Sequence, residues 1–254
     1  MAFKRIISTL FVKDGMVVKS YGYRSWRPAG KLRSALQNLD RWQTDEILII
    51  DISRRASLDP IVLRDITSAG ISTPLVYGGG IRTEEDIHRL LDVGCDRMVL
   101  ENLALYHPDL IHELSDLVGC QALIGSLPIV ATHQGLFLWQ EKPRQDVPRT
   151  IQEILSYYET LPLSEILLID ASNEGFAGKG HAETESCIDT FPGSQGIIWF
   201  GGLDESIATR LLRHHRTVAV AFGNVNFERE LRVPATRKAI LRREEKSLRR
   251  TRIR

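Results

Sequence analysis

Four segments of this chain recur in the same order at almost one spacing, and that repetition constrains the fold more than any other feature. RIISTLFV from Arg5 is matched by ALIGSLPI from Ala122, 117 residues later. DEILIIDI at 45–52 is matched by SEILLIDA at 164–171, an offset of 119. Gly79-Gly80-Ile81 is matched by Gly201-Gly202-Leu203, and Asn102 by Asn224, both at 122. A period this long is not that of a solenoid. It is the length of half a large domain, so the repeat predicts two similar halves.

The pattern inside each half predicts what the halves are. Short apolar, β-branched runs bounded by turn residues lie at Arg5–Val12, Glu46–Ile52, Pro74–Tyr77, Arg97–Leu100, Ala122–Leu127, Glu165–Asp170, Gly196–Phe200 and Val218–Phe222. Nearly continuous hydrophobic runs suit parallel strands buried on both faces. Amphipathic segments lie between them. Glu84–Val93 sets Ile87, Leu90 and Leu91 on one face behind a Thr83 cap; Thr150–Tyr158 and Ser206–Arg213 are two more. Eight strands alternating with helices predict an α/β fold, a (βα)8 TIM barrel with an internal two-fold half-barrel repeat. An open doubly wound sheet is the alternative. The barrel is expected over residues 1–236, with a basic C-terminal tail over 237–254.

Composition narrows the function classes. With 43% hydrophobic and 26% charged residues in 254, the chain is globular rather than disordered or fibrous. No run approaches the roughly 20 apolar residues that cross a bilayer, and the start lacks the apolar core and cleavage site of a signal peptide. Cys95, Cys120 and Cys187 are an odd, scattered set, read as reduced thiols; a cytoplasmic protein without membrane partner, metal or cofactor is expected. The net charge of +1 divides unevenly: Arg237–Arg254 holds nine Lys/Arg and two Glu, hence +7, which leaves −6 on the body. No aromatic residue interleaves with the tail's arginines, which argues against stacking on nucleic acid. A solvated terminus is the plainer reading.

Two glycine turns carry the first chemical signal. VYGGGIRTEED and WFGGLDES each place glycines after a strand and before a helix, where backbone amides and a helix start can receive an anion. Gly223-Asn224 follows another strand and would complete a two-loop phosphate cup with Gly201-Gly202. Such loops lie on the C-terminal face of a parallel barrel. The competing reading is that the glycines only permit tight turns. Two anion sites imply a long ligand with a phosphate at each end.

KRIISTLFVKDGMVVKS, LIIDIS, YGGGIRTEEDIHRLLDVGCDR, SEILLIDASNEG and the Gly-Gly and Gly-Asn turns resemble the cyclase subunit of imidazole glycerol phosphate synthase, over about residues 3–230. They are closest to a divergent cyclase-like branch associated with lipopolysaccharide sugar amidation. The resemblance implies a (βα)8 barrel that takes ammonia from a glutaminase subunit in a heterodimer and uses it on a phosphorylated substrate. It also implies phosphate or substrate contacts at Lys19, Gly79, Gly80, Asn102, Gly175, Gly201, Gly202, Gly223 and Asn224.

The departures from that family matter as much. Its two catalytic aspartates fall on Phe11 and Pro128, which can neither take nor give a proton. Asp14 matches a different loop aspartate. The family's Asp-Arg-Asp-Gly run reads Ser172-Asn173-Glu174-Gly175, and its Asn-Thr reads Glu101-Asn102, which puts a carboxylate where a phosphate is expected. Phe222 replaces a small residue at the second cup. Asp51 and Asp170, at the ends of repeat-related strands, are the remaining candidates for an acid or base. By contrast Arg5, Glu46, Arg97 and Glu165 fall on the family's charged ring, which gates ammonia entry at the barrel floor, and Asp96 falls on its subunit interface. The alternative for the ring is a stability device. His181 and His214-His215-Arg216 have no metal-binding spacing. The expectation is therefore a synthase-side subunit of a glutamine-dependent amidotransferase pair. Delivery would be to a phosphorylated or nucleotide-linked acceptor. Imidazole-forming cyclase activity and a catalytically inactive glutaminase activator are the alternatives.

Overall fold

The structure is a computed structural model that describes residues 4–133, 135–139, 150–180, 182–190, 193–227 and 234–242. Eight parallel strands form the framework. They are β1 (Arg5–Lys13), β4 (Glu46–Asp51), β5 (Leu75–Gly78), β6 (Arg97–Leu100), β7 (Leu123–Thr132), β9 (Glu165–Asp170), β10 (Gly196–Phe200) and β11 (Thr217–Phe222). They pair in that order, and β11 pairs back onto β1, so the sheet closes as a (βα)8 barrel. All eight predicted strands are present, and the open sheet is excluded by the β11–β1 ladder.

The repeat is visible in the hydrogen-bond register. Phe11 lies opposite Ile50 in the first half and Pro128 opposite Ile169 in the second. Ile50 lies opposite Gly78, and Ile169 opposite Phe200. Val99 meets Gly78 as Ala221 meets Phe200. Met98 meets Leu123 as Val220 meets Ile6. Residues 117, 119 or 122 apart therefore occupy equivalent places on the axis.

Each half also carries an antiparallel addition that hydrophobic patterning does not reveal. β1 turns back into β2 (Met16–Tyr21) and β3 (Ser25–Lys31), and β7 turns back into β8 (Gly135–Leu138). β3 is largely exposed and contains Pro28, as an edge strand tolerates.

Helices cover the outside: α1 (Leu32–Arg41), α2 (Pro60–Ala69), α3 (Glu84–Asp92), α4 (Asn102–Tyr106), α5 (Pro108–Val118), α6 (Ile151–Tyr158), α7 (Ala182–Thr190) and α8 (Glu205–Leu211). Thr83 and Asp86 form a capping box on α3, and Thr150 and Glu153 another on α6. Period-2 alternation divides the core in two. Leu10, Ile47, Ile49 and Trp199 face the helices, while Ile7, Leu48, Val76, Ile124, Leu167 and Ile198 fill the axis. Among the described residues no helix is long and apolar enough to cross a membrane.

The segment 234–242 is helical and runs across the expected division at 236/237. Ile240 is buried in the outer cluster, and Arg237 donates to the Gln43 carbonyl and the Asp45 carboxylate, each at 2.9 Å. The start of the basic segment is thus docked on the barrel. Residues 243–254 lie outside those described.

The first glycine of each pair is required by packing. A Cβ on Gly79 would lie 2.2 Å from the Asp51 carbonyl oxygen, and one on Gly201 2.5 Å from that of Asp170, the repeat-equivalent contact. Gly80 has φ +73° but only Leu58 within reach, at 3.9 Å. Gly201→Ala is therefore expected to lose about 3 kcal/mol, from backbone overlap plus a left-handed φ. Gly80→Ala should lose only about 1 kcal/mol. Urea unfolding of the two variants measures the difference.

Candidate functional site

The floor of the barrel is built from the first residues of four strands. Arg5, Glu46, Arg97 and Glu165 point inward and close one ring in which each arginine touches both glutamates. Arg5 reaches Glu165 at 2.6 Å and Glu46 at 3.6 Å; Arg97 reaches Glu165 at 2.8 Å and Glu46 at 3.4 Å. The ring is tight at Glu165 and loose at Glu46. Arg5 Nε and Glu46 Oε2 are buried without a hydrogen-bond partner among the described residues. Burial pushes the Glu46 carboxyl up, against the pull of Arg5 and Arg97. Arg97 is further fixed by the Gln121 carbonyl and the Ser164 hydroxyl, both at 3.0 Å. Asp96, beside the ring, is exposed and accepts from the Leu75 amide at 2.8 Å.

Above the ring the axis is apolar and packed. Ile7, Leu48, Val76, Ile124, Leu167 and Ile198 are each at most 2% exposed. Passage of even a small molecule requires these side chains to move. Higher still, the inward face turns polar at Thr9 and Ser126. The Thr9 hydroxyl is buried with no partner among the described residues.

At the mouth, alternation from Arg97 and Val99 brings Glu101 inward. Its carboxylate accepts from the Ser126 hydroxyl at 3.3 Å. Desolvation pushes the Glu101 carboxyl up to about 7, only partly offset by that hydrogen bond. Phe11 and Pro128 occupy the equivalent mouth positions on β1 and β7. The Phe11 ring is 1% exposed and packs on Tyr23, at 5.6 Å between centroids, and on Phe200, at 5.7 Å.

Tyr23 arrives from the β2–β3 turn. Gly22 and Tyr23 both have positive φ, +60° and +57°, a hairpin geometry that bulky residues rarely adopt. The turn is held by Glu174, which is 1% exposed. Its carboxylate accepts from the Ser20 hydroxyl at 2.9 Å and the Tyr23 amide at 3.2 Å, and its carbonyl accepts from the Gly22 amide at 3.0 Å. Burial pushes the Glu174 carboxyl up despite these donors. Asn224 donates to the Ser20 carbonyl at 2.6 Å. Glu174 and Asn224 thus fasten the hairpin rather than face an open site.

A cavity of about 730 Å³ opens on the C-terminal face, lined mostly by the first half and, from the second, by Ser126, Pro128, Trp139 and Leu167. Of the residues singled out in the sequence, Asp51, Gly79, Gly80, Asn102 and Pro128 line it. So do Glu101, Ser126, Tyr23, Trp26 and Trp139, and the cations Lys13, Arg54, Arg55 and Arg82. Asp51 is engaged by the Tyr77 hydroxyl at 3.1 Å and the Ser53 amide at 2.8 Å.

In the second half the glycine turn is engaged by the chain itself. Gly202 is buried; its carbonyl accepts from the amides of Gly178 at 2.8 Å and Lys179 at 3.1 Å. Gly175 lies against the Ser20 carbonyl and the Asn224 side chain. Asp170 is 7% exposed, with Asn173 donating from Nδ2 at 2.8 Å. Gly201, Gly202, Gly223, Asn224 and Asp170 therefore share no cavity with Gly79 and Gly80. Asn173 and Gly180 of the chain itself lie against Gly202. Phe222 belongs instead to the outer cluster. Lys19 pairs with Arg27 within the hairpin and lies off the cavity wall. His214 contacts Asp189 at 2.8 Å and stacks on His215, and no metal-ligating cluster forms among the described residues. His181 lies outside them.

Sequence reasoning treated Glu101 as an obstacle to phosphate. The period-2 phase from Arg97 would have placed it inward. Tyr23 and Trp139 had no such signal, because each is delivered by an antiparallel addition.

The raised carboxyl makes stability depend on pH. Glu101 binds its proton more tightly folded than unfolded, relative to its ordinary 4.5. Its contribution is full below about pH 4.5 and lost as pH rises through about 7, by about 3 kcal/mol. Glu101→Gln should match the parent near pH 4 and exceed it by about 2–3 kcal/mol near pH 8. Urea midpoints at both pH values test this; equal midpoints near pH 8 would refute the burial of a charge at this position.

Residues 5–231 match the histidine biosynthesis protein family. The imidazole glycerol phosphate synthase subunit HisF of Natranaerobius thermophilus is 29% identical over 179 residues, which covers 69% of this chain and 70% of that protein.

Proposed function

The chain belongs to the histidine biosynthesis protein family, and from that premise we propose that it is the cyclase-type subunit of a glutamine-dependent amidotransferase pair. A glutaminase would dock on the face bearing Asp96 and the Arg5–Glu46–Arg97–Glu165 ring. Ammonia would enter on the loose Glu46 side and move along the axis. Neutral ammonia crosses an apolar layer far more cheaply than ammonium. It would reach a phosphorylated or nucleotide-linked acceptor in the cavity over the first half. The pairing is read as cytoplasmic.

The observation that carries this reading is the ring itself. Four ionic side chains are turned into the barrel floor, yet one glutamate is left imperfectly paired. A device serving stability alone gains little from that arrangement, because well-packed apolar residues would do as well or better. The mouth supports a change of acceptor chemistry. Phe11 and Pro128 offer no proton transfer, so the family's ring closure is not expected to run efficiently here.

One observation favours a second reading, an inactive barrel that only activates a glutaminase. In the second half the Gly202 carbonyl is taken by the Gly178 and Lys179 amides, and Gly180 lies against Gly201 and Gly202, so this glycine turn is engaged by the chain itself.

Both readings are separated by measuring ammonia released to solvent when a cognate glutaminase turns over with this protein. Arg5→Ala, with Arg5→Lys as the charge-preserving control, should raise leakage of glutamine-derived ammonia severalfold. Removing one partner of a buried ion pair should also cost about 3–5 kcal/mol of stability. Leakage equal to that of the isolated glutaminase, unchanged by Arg5→Ala, would rule out channelling and leave the activator.

A further inference from the structure

Two hydroxyls stand at matched places inside the barrel and are treated differently. Thr9 on β1 and Ser126 on β7 are 117 residues apart, which is a spacing of the repeat. Strand alternation turns both inward at one height, just above the apolar layer. Ser126 is 3% exposed and lines the cavity, and its hydroxyl donates to the Glu101 carboxylate at 3.3 Å. Thr9 is fully buried, and its Oγ1 has no partner among the described residues. Buried hydroxyls are almost always satisfied, by the protein or by an ordered small molecule.

The surroundings of Thr9 restrict what can satisfy it. Ile7 lies below it and Phe11 above it on the same strand face, and Leu48 is its register partner on β4; all three are at most 2% exposed. Phe200 packs on Phe11 at 5.7 Å between ring centroids and adds a second apolar wall above. Such a place opposes an ion far more than a neutral molecule. Packing of this kind suits a solute of one heavy atom that hydrogen-bonds. The donors and acceptors then choose between such solutes. The Ser126 proton is spent on Glu101, so its oxygen offers only lone pairs to the axis. Thr9 Oγ1 offers one proton and two lone pairs. The set is rich in acceptors and holds one free donor. Ammonia, with three N–H donors and one lone pair, complements it better than water, which has two of each.

We infer that Thr9 and Ser126 form a binding site for one molecule of neutral ammonia on the barrel axis, beneath the cavity. The inference rests on the reading above only for the source of that ammonia. The Thr9 hydroxyl donates to the nitrogen, and N–H groups return to the oxygens of Thr9 and Ser126. Water takes the same place when ammonia is scarce.

The test needs no glutaminase, so its failure and the failure of channelling are separate results. The full chain carries methyl-labelled threonine, and Thr9→Val, which keeps the shape and removes the hydroxyl, identifies the Thr9 methyl signal. The probe is ammonium chloride, titrated at about pH 8 and about pH 9, between which free ammonia rises severalfold. Sodium chloride at equal ionic strength is the reference and removes shifts from groups of the chain that titrate in this range. The Thr9 signal should follow free ammonia rather than ammonium, with half-saturation no tighter than about 0.1 M, the limit for a ligand of one heavy atom. Trimethylammonium chloride should leave the signal unmoved. Ser126→Ala should weaken the ammonia response severalfold. Urea unfolding gives a second measurement: with a molecule satisfying its hydroxyl, Thr9→Val lowers the folding equilibrium constant about tenfold. The inference is overturned if the Thr9 signal ignores free ammonia, which leaves a water site only, or if trimethylamine moves it equally. It is equally overturned if the response is unchanged in Ser126→Ala. A Thr9→Val variant more stable than the parent would show a dry hydroxyl and overturn the site altogether.

Discussion

Every side chain with a role here reaches its place because a parallel sheet of eight strands closes on itself. Closure turns period-2 alternation into an inside and an outside, and the matched register of the halves stacks the inward residues in layers. The lowest layer is ionic, the next apolar, the next hydroxyl-bearing, and the uppermost mixes Glu101 with Phe11 and Pro128. A one-residue slip in any ladder would send that strand's charges among the helices.

The ionic layer is the costliest part of this arrangement. Glu46 is 4% exposed on its side chain, and its two arginines stand at 3.4 and 3.6 Å, beyond good hydrogen-bonding range. Glu165 takes the short contacts instead. Burying ions in an unequal ring is a poor route to stability. On the proposed reading the floor opens on the Glu46 side, while Arg97 is anchored to Gln121 and Ser164.

The halves share a framework and have diverged at the top. In the first half the Gly80 backbone faces open space, and cations ring a cavity. In the second, residues 171–180 fold onto Gly202, and Glu174 and Asn224 spend their polar atoms holding the β2–β3 hairpin. The departures from the family pattern around Ser172-Asn173-Glu174-Gly175 thus have a mechanical role. They fasten the turn that swings Tyr23 onto Phe11.

Fold, repeat and floor were legible in the sequence because each depends on local pattern. Apolar runs, their spacing, and charges at strand starts all survive without knowledge of distant contacts. That Phe11 and Pro128 carry no titratable proton was legible for the same reason. Tertiary structure alone decided which glycine turn stays open, because that depends on the path of a loop nearly one hundred residues away from Gly80. It also decided that Glu174 is a clasp, that Lys19 lies off the cavity, and that Glu101 is desolvated. Burial and charge balance are properties of surroundings assembled from several strands, and no single segment contains them.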